Sequence, residues 1–496
     1  MSTYNSFIKN NLIIFSGHLL IYAQGFILMP IIIKTIGVKV YGGYGILVSI
    51  FGLIFGISSF GVGFRRSRFL PSAENREERQ ALFYPQFNFH FISLMLLSLV
   101  LILSFHSLDR LFFKGEVSFS IWLVVPYFIF YLLYSQTTDY FRFTHRINYF
   151  NFATLSYAGL NILIILLLYW LAQKLTINVL FTIQIFSAVL VALPLTFKMV
   201  QEIGWRFALP NIQNLVDEIK LGFPLVLVYL VDFILNSSDR YVITAFISVT
   251  AVGYYNSAYA LGSFIVLIPK ISGVVLPPLL SKAVDTGNEA EARTMINYTV
   301  KAFLLVAIPF VVGSAVMSKP LLSLLANDEV ANKAFLVTPI VALGTIFYSL
   351  NIILSNVLFV RLKTGAMYKI SFIAAIVNLG LNLLIIYFIR DILVAAISTL
   401  LSYFIAFIII YRVVAVDWLI NYDFKTIIKS VVASLVMGVV ICLTSSWLLT
   451  GTGRVSFAMI ELIIGIAVYC LVIFLLKTFS PKELQKLKEF IVTGGR

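Results

Sequence analysis

The chain alternates between long apolar runs and short polar stretches. A helix needs about 20 mostly apolar residues to cross the hydrocarbon core of a bilayer. Fourteen runs approach or exceed that length: 11–33, 42–63, 86–105, 119–136, 150–171, 177–197, 221–247, 252–280, 302–317, 334–360, 370–389, 392–411, 427–449 and 455–476. The run 302–317 is short, and Pro339 stands early in 334–360, where it can split the helix. The runs are about twice the length of barrel strands and do not alternate. The pattern therefore predicts an all-α polytopic membrane protein.

Sidedness follows from Lys and Arg. Both terminal segments and the loops on their side hold 24 of them, against 9 in the opposite loops. Basic residues mark the cytoplasmic side, so both termini are expected there, in keeping with an even number of spans. No opposite loop exceeds 16 residues in this parse. Any chemistry must lie within the bilayer or on short cytoplasmic loops.

Two pairs of segments look like copies. Gly159-Leu-Asn-Ile-Leu-Ile-Ile165 resembles Gly380-Leu-Asn-Leu-Leu-Ile-Ile386, and Val40-Tyr-Gly-Gly-Tyr-Gly45 loosely resembles Ala251-Val-Gly-Tyr-Tyr-Asn256. Both offsets, 221 and 211 residues, correspond to six spans. Six is even, so the halves share an orientation, as in transporters with parallel repeats. The expected organisation is an N-lobe over 1–197, a cytoplasmic linker over 198–220, a C-lobe over 221–411, two further spans within 412–480 and a tail helix over 481–496. Ile212, Leu215, Val216 and Ile219 share a helical face, which predicts that part of the linker lies along the membrane surface.

Composition sharpens the class. Of 496 residues 60% are hydrophobic and 12% charged, with a mean hydropathy of +0.98. Soluble domains carry roughly a quarter charged residues, so a large soluble enzyme is excluded, as is a disordered or fibrous chain. The net charge of +14 points to topology and anionic lipid rather than nucleic acid. Cys442 and Cys470 lie in apolar runs, without disulfide or metal spacing. The polar segment 1–10 does not read as a cleaved signal peptide. There is no phosphate-binding Gly-rich loop, nucleophile elbow or paired metal-ligand spacing.

Charged residues inside spans cost roughly 2.5–3.5 kcal/mol each on insertion scales, so each needs a reason. Span seven carries Tyr229, Asp232, Asn236, Asp239 and Arg240 as one stripe. Asp232 lies roughly 16 Å from the cytoplasmic end. It is either protonated or satisfied by neighbours, or it serves as a coupling site for a proton or Na+. Asp239 and Arg240 suit an ion pair or a gate contact. Span eight carries Asn256, Tyr259, Ser263 and Lys270 on one face. Lys270 is too deep to reach the interface, so it either pairs with a carboxylate such as Asp232 or contacts an anion in a translocation cavity. His18, Tyr22 and Gln24 are softer candidates in span one. Asn161 and Asn382 sit mid-span at repeat-equivalent positions, where Asn commonly bridges packed helices. Arg65, Arg66 and Arg68 cluster at the end of span two, as a topology anchor or a phosphate-capturing group; Asp139, Arg142 and Arg146 after span four are similar. Pro224, Pro269, Pro277 and Pro278 permit bends in spans seven and eight.

Several motifs fall in a familiar order: Leu221-Gly-Phe-Pro-Leu225, Ser238-Asp-Arg-Tyr241, Val252-Gly-Tyr-Tyr-Asn256, Leu276-Pro-Pro-Leu-Leu-Ser281, Asn378-Leu-Gly-Leu-Asn382 and Ala395-Ala-Ile-Ser-Thr399. In these the chain resembles the oligosaccharide-lipid flippase family of the multidrug/oligosaccharidyl-lipid/polysaccharide exporter superfamily, over spans one to twelve. Arg390-Asp391 lacks the glycines common in that family's loop. The resemblance implies a flippase of the bacterial inner membrane. It would move an undecaprenyl-diphosphate-linked oligosaccharide between leaflets by alternating access, in concert with other polysaccharide-assembly membrane proteins. The diphosphate would want Lys270, Arg65 and Arg66, and the sugars Tyr22, Gln24, Asn256 and Tyr259. No cofactor is implied, and ion coupling through Asp232 is left open. A cation-coupled multidrug exporter would want an acidic cavity, which Lys270 opposes. A membrane polymerase or ligase would want a long outer loop with catalytic Arg or His residues, which the parse lacks.

Overall fold

The computed structural model describes residues 24–171, 174–418, 423–448 and 454–478. Helices dominate the described residues, and the apolar runs there fall largely on them. In chain order they are α1 (Gln24–Ile36), α2 (Val38–Ser58), α3 (Gly63–Phe69), α4 (Arg76–Leu108), α5 (Val124–Phe143), α6 (Ile147–Trp170), α7 (Ile177–Ile203), α8 (Ile212–Phe246), α9 (Val249–Gly262), α10 (Leu267–Asp285), α11 (Glu289–Leu325), α12 (Asp328–Ala334), α13 (Val337–Val360), α14 (Thr364–Ile389), α15 (Ile392–Asp417), α16 (Phe424–Leu448) and α17 (Arg454–Leu475). Among the described residues, twelve helices are long and apolar enough to cross a membrane. The protein is thus an all-α multi-pass membrane protein. The first predicted span is described only from Gln24, and the tail helix lies outside the described residues, as do His18 and Tyr22.

Four elements differ from the apolar pattern. The proposed surface segment over 212–219 is continuous with span seven as the single 35-residue helix α8. Asn211 caps its start by accepting the Gln213 N–H at 3.0 Å, and Pro224 does not interrupt it. This helix is not among the twelve. Span eight divides at a 3-10 turn, Phe264–Val266, so its two halves, α9 and α10, are separate helices. Pro339 falls in the first turn of α13, where a missing N–H costs nothing; it helps begin that helix rather than splitting it. The short run 302–317 is the centre of a 37-residue helix, α11.

Contacts group the chain into two units, Met1–Ser257 with Ser371–Ser398, and Ala258–Ile370 with Thr399–Arg496. The first has an aromatic core. Phe51 of α2 meets Phe128 of α5 at 5.3 Å and Phe181 of α7 at 5.0 Å. Towards the basic ends, Phe83, Tyr84, Tyr140 and Phe141 close over Ala153, Ala188 and Ala192. The small residues let α6 and α7 come close, and the large rings fill the remaining space. The orphan carbonyls ending α7 are satisfied there, since Gln80 donates to Ile203 and Tyr84 to Gly204.

A stripe of small residues sets the seam between α2 and α8–α9. Gly42, Gly45, Ser49, Gly52 and Gly56 recur at helical spacing on α2. The backbone of Gly42 abuts Gly253, the Tyr229 ring lies over Gly56, and Gly61 abuts Gly222 beyond the end of α2. Gly61 has φ +81°, so glycine is required there for conformation as well as space. Tyr229 donates to the Gly52 carbonyl at 2.7 Å, and Tyr241 to Ser49 at 2.9 Å.

In the second unit α13 packs on Gly262, whose carbonyl accepts from Thr345 at 3.4 Å. Met317, Met437, Ile441 and Ala458 join α11, α16 and α17. In each unit, large apolar side chains such as Leu103 in the first and Val416 in the second are more than three-quarters exposed, the surface expected of helices solvated by lipid rather than water.

Candidate functional site

In the first unit a cavity of about 380 Å³ opens among the ends of α2, α4 and α5, α3 and the first half of α8. That volume lies within the range of small-molecule sites, about 300–1,000 Å³. Its wall is polar for a membrane interior: Arg66, Gln86, His90, Gln136, Asp139 and Arg142 all line it, with Ser59, Ser67 and Tyr229.

Arg66 is the central charge. It is 4% exposed, although its neighbour Arg65 is largely accessible. The reason lies in α3, a seven-residue helix, in which neighbouring side chains diverge by about 100° around the axis. Arg65 turns to α8 and donates to Glu218 at 2.9 Å. Arg66 turns inward over the Phe83 ring at 5.5 Å, with Asp139 4.0 Å away. That is an ion-pair distance but too long for a hydrogen bond. Among the described residues Arg66 Nε and Gln86 Oε1 have no hydrogen-bond partner. Burial pushes the Arg66 pKa down, and Asp139 opposes the shift; a guanidinium stays protonated nonetheless. The site therefore holds a desolvated cation with an unused donor.

His90 organises the floor. Its Nδ1 lies 3.2 Å from Gln136 Nε2, which donates. Its Nε2 lies 2.9 Å from Ser58 Oγ, which in turn donates to the Phe55 carbonyl at 2.8 Å. The chain of donors assigns the neutral Nε2–H tautomer. Arg142 pairs with Asp139 at 2.9 Å, and Arg146 pairs with Glu202.

The polar stripe of span seven has a different character. The Asp239 carboxylate accepts from the Tyr255 hydroxyl and from the Arg240 backbone N–H at 2.9 Å. Arg240 Nη1 is 3.6 Å from Asp239, its Nε donates to Asn256 at 2.7 Å, and it also donates to the Asn236 carbonyl. Asp239, Arg240, Asn236 and Asn256 thus form one network within α8 and α9. Asp232 is exposed on α8, and its carbonyl accepts from Asn236 at 2.7 Å.

The remaining predicted residues are dispersed. Lys270 is exposed on α10 and Tyr259 half-buried on α9, both in the second unit. Gln24 is half-buried on α1. Asn161 and Asn382 are fully buried, and both reach back one turn. Asn161 donates to the Tyr157 carbonyl at 2.7 Å. Asn382 donates to Asn378 at 3.2 Å, and Asn378 accepts from Ser238 at 3.0 Å, so α14 is bonded to α8 through Asn378.

Sequence reasoning missed Gln86, His90 and Gln136. The signal was present: Gln86, His90 and Ser93 are polar positions at helical spacing in an apolar run. Considered only as metal ligands, histidines gave no reason to notice it.

Residues 7–284, over half of the chain, match the family described as Polysaccharide biosynthesis protein, and residues 224–384 match MatE. No curated protein matches the chain. Among solved structures, it is similar to lipid II flippase MurJ in an inward closed conformation, with a TM-score of 0.71 at 16% identity over 94% of this chain and 98% of that one. It is also similar to an inward-facing multidrug resistance MATE family transporter of the MOP superfamily, with a TM-score of 0.66 at 14% identity over 81% of this chain and 94% of that one. At such identities the likeness establishes the fold. The chain belongs to the polysaccharide biosynthesis protein family and has the fold of the MurJ and MATE transporters.

Proposed function

We propose that the protein flips an undecaprenyl-diphosphate-linked oligosaccharide from the inner to the outer leaflet of the bacterial inner membrane, with both termini cytoplasmic. The observation that carries this reading is Arg66, buried in a polar cavity with a donor unused. A diphosphate supplies the acceptors that such a guanidinium lacks, and Gln86, Gln136 and Tyr229 can bond sugar hydroxyls. The Lys- and Arg-rich loops on the same side would draw an anionic head to the cavity. The flippase MurJ, named for lipid II, shares the fold.

Lys270 is proposed as a second cationic contact and Asp232 as a coupling group. The MatE match raises a drug exporter as the other reading, but a buried arginine in the cavity repels cationic drugs. The deciding experiment reconstitutes the protein in vesicles with a fluorescent diphospho-lipid oligosaccharide and follows its transfer between leaflets. Transfer above that of protein-free vesicles is expected, reduced by Lys270→Ala and retained in part by Lys270→Arg. Efflux of a cationic dye without lipid transfer would favour the exporter. An imposed proton or Na+ gradient should speed the native protein and not Asp232→Asn.

A further inference from the structure

The second unit has its own pocket of about 280 Å³, between α11 and α16. Its polarity is graded. On α11 the lining begins with Thr294, Asn297 and Lys301 and continues one turn later with Leu304 and Ile308. At the start of α16 Asp423 and Thr426 precede Ile427, and one turn further in lies Ser430, whose hydroxyl is engaged by Tyr469. Both helices start on the basic side, so the polar end faces that interface and the apolar end faces the bilayer core.

At the polar end Lys301 Nζ is 3.3 Å from Asp423 Oδ2. Asp423 accepts from the Thr426 hydroxyl at 2.5 Å and from its N–H at 3.1 Å. These bonds, the hydroxyl foremost, hold the carboxyl below the usual carboxylate range, so it is ionised at neutral pH. Behind the apolar end Tyr469 of α17 donates to the Leu305 carbonyl at 2.6 Å and pairs with Ser430 at 2.9 Å, tying both walls together. The result is a fixed cleft with opposite charges side by side at its mouth.

We propose that this cleft binds an aminophospholipid: phosphate at Lys301, primary ammonium at Asp423, and an acyl chain along Leu304, Ile308 and Ile427. Charge complementarity selects the headgroup. An anionic lipid could set its phosphate on Lys301 but brings no ammonium for Asp423, leaving the two anions side by side. A choline headgroup has a cation but no N–H to give the carboxylate. The site is independent of the flippase reading, since it lies in the other unit and would hold lipid whatever the protein transports.

The test is lipid retention by the purified full-length protein, read by native mass spectrometry after equal exposure to phosphatidylethanolamine, phosphatidylcholine and phosphatidylglycerol. Phosphatidylethanolamine should be retained about tenfold more than either of the others. Asp423→Asn should remove the preference over phosphatidylcholine, and Ile427→Trp, which fills the apolar end, should remove retention of all three. Equal retention by the native protein, or preference for phosphatidylglycerol, would overturn the assignment without any variant. So would undiminished phosphatidylethanolamine in both variants.

Discussion

Two arginines in the first unit, both recessed from solvent, differ in how far their environment satisfies them. Arg240 is bonded to the Asn256 side chain and the Asn236 carbonyl, and it sits beside Asp239. Arg66 has an aromatic ring beneath it, a carboxylate at 4.0 Å and an Nε with no acceptor. A charge whose partners are all supplied by the protein holds helices together, because any departure leaves the partner stranded. A charge only half supplied is an expense to the fold and needs a partner from outside. That contrast, more than the presence of charge in a span, separates scaffold from site.

The comparison can be broken most easily at Arg240. Arg240→Ala should destabilise the protein by about 3–5 kcal/mol, since it strands the buried Asp239; a thermal midpoint in detergent equal to the parent's would make Arg240 a site residue instead. Gly222→Val should cost about 3 kcal/mol, because a side chain there meets the Gly61 backbone, which cannot move as a side chain can; folded yield by size-exclusion chromatography is the readout. Arg66→Ala should leave the midpoint within a degree or two while lipid transfer falls about tenfold to a hundredfold. Arg66→Lys should recover part, as a point charge without the planar fork. A loss of stability matching that of Arg240→Ala would show that the two arginines are alike. The smallest effect is expected at His90. His90→Ala removes the link between Ser58 and Gln136, lowering stability by about 1–2 kcal/mol and transfer only a few-fold.

The spans were legible because bilayer thickness imposes a length on apolar runs that needs no tertiary information. The site was only half legible. Arg65 and Arg66 are adjacent, and no periodicity tells which turns inward; that depends on Glu218 standing 153 positions later. Asp239 and Arg240 were readable as a pair, since they are neighbours in the chain. Their completion by Tyr255 and Asn256 depends on the turn between α8 and α9. The glycine stripe of α2 is periodic in the sequence, but its meaning waits on what leans against it. Continuity of α8 through 212–219 was hidden by amphipathicity, which suits a surface helix and the protruding end of a spanning one equally.

The close approaches of Gly42 to Gly253 and of Gly61 to Gly222 pinch α2 against its neighbours at both ends with bare backbone. Between Gly61 and Gly222 only backbone meets, while at Gly253 the Val38 side chain also closes on the contact. Because Tyr229 and Tyr241 also bond across this seam, parting the helices would cost two hydrogen bonds as well as the close backbone contacts, and a larger residue at either pinch would prop the joint open.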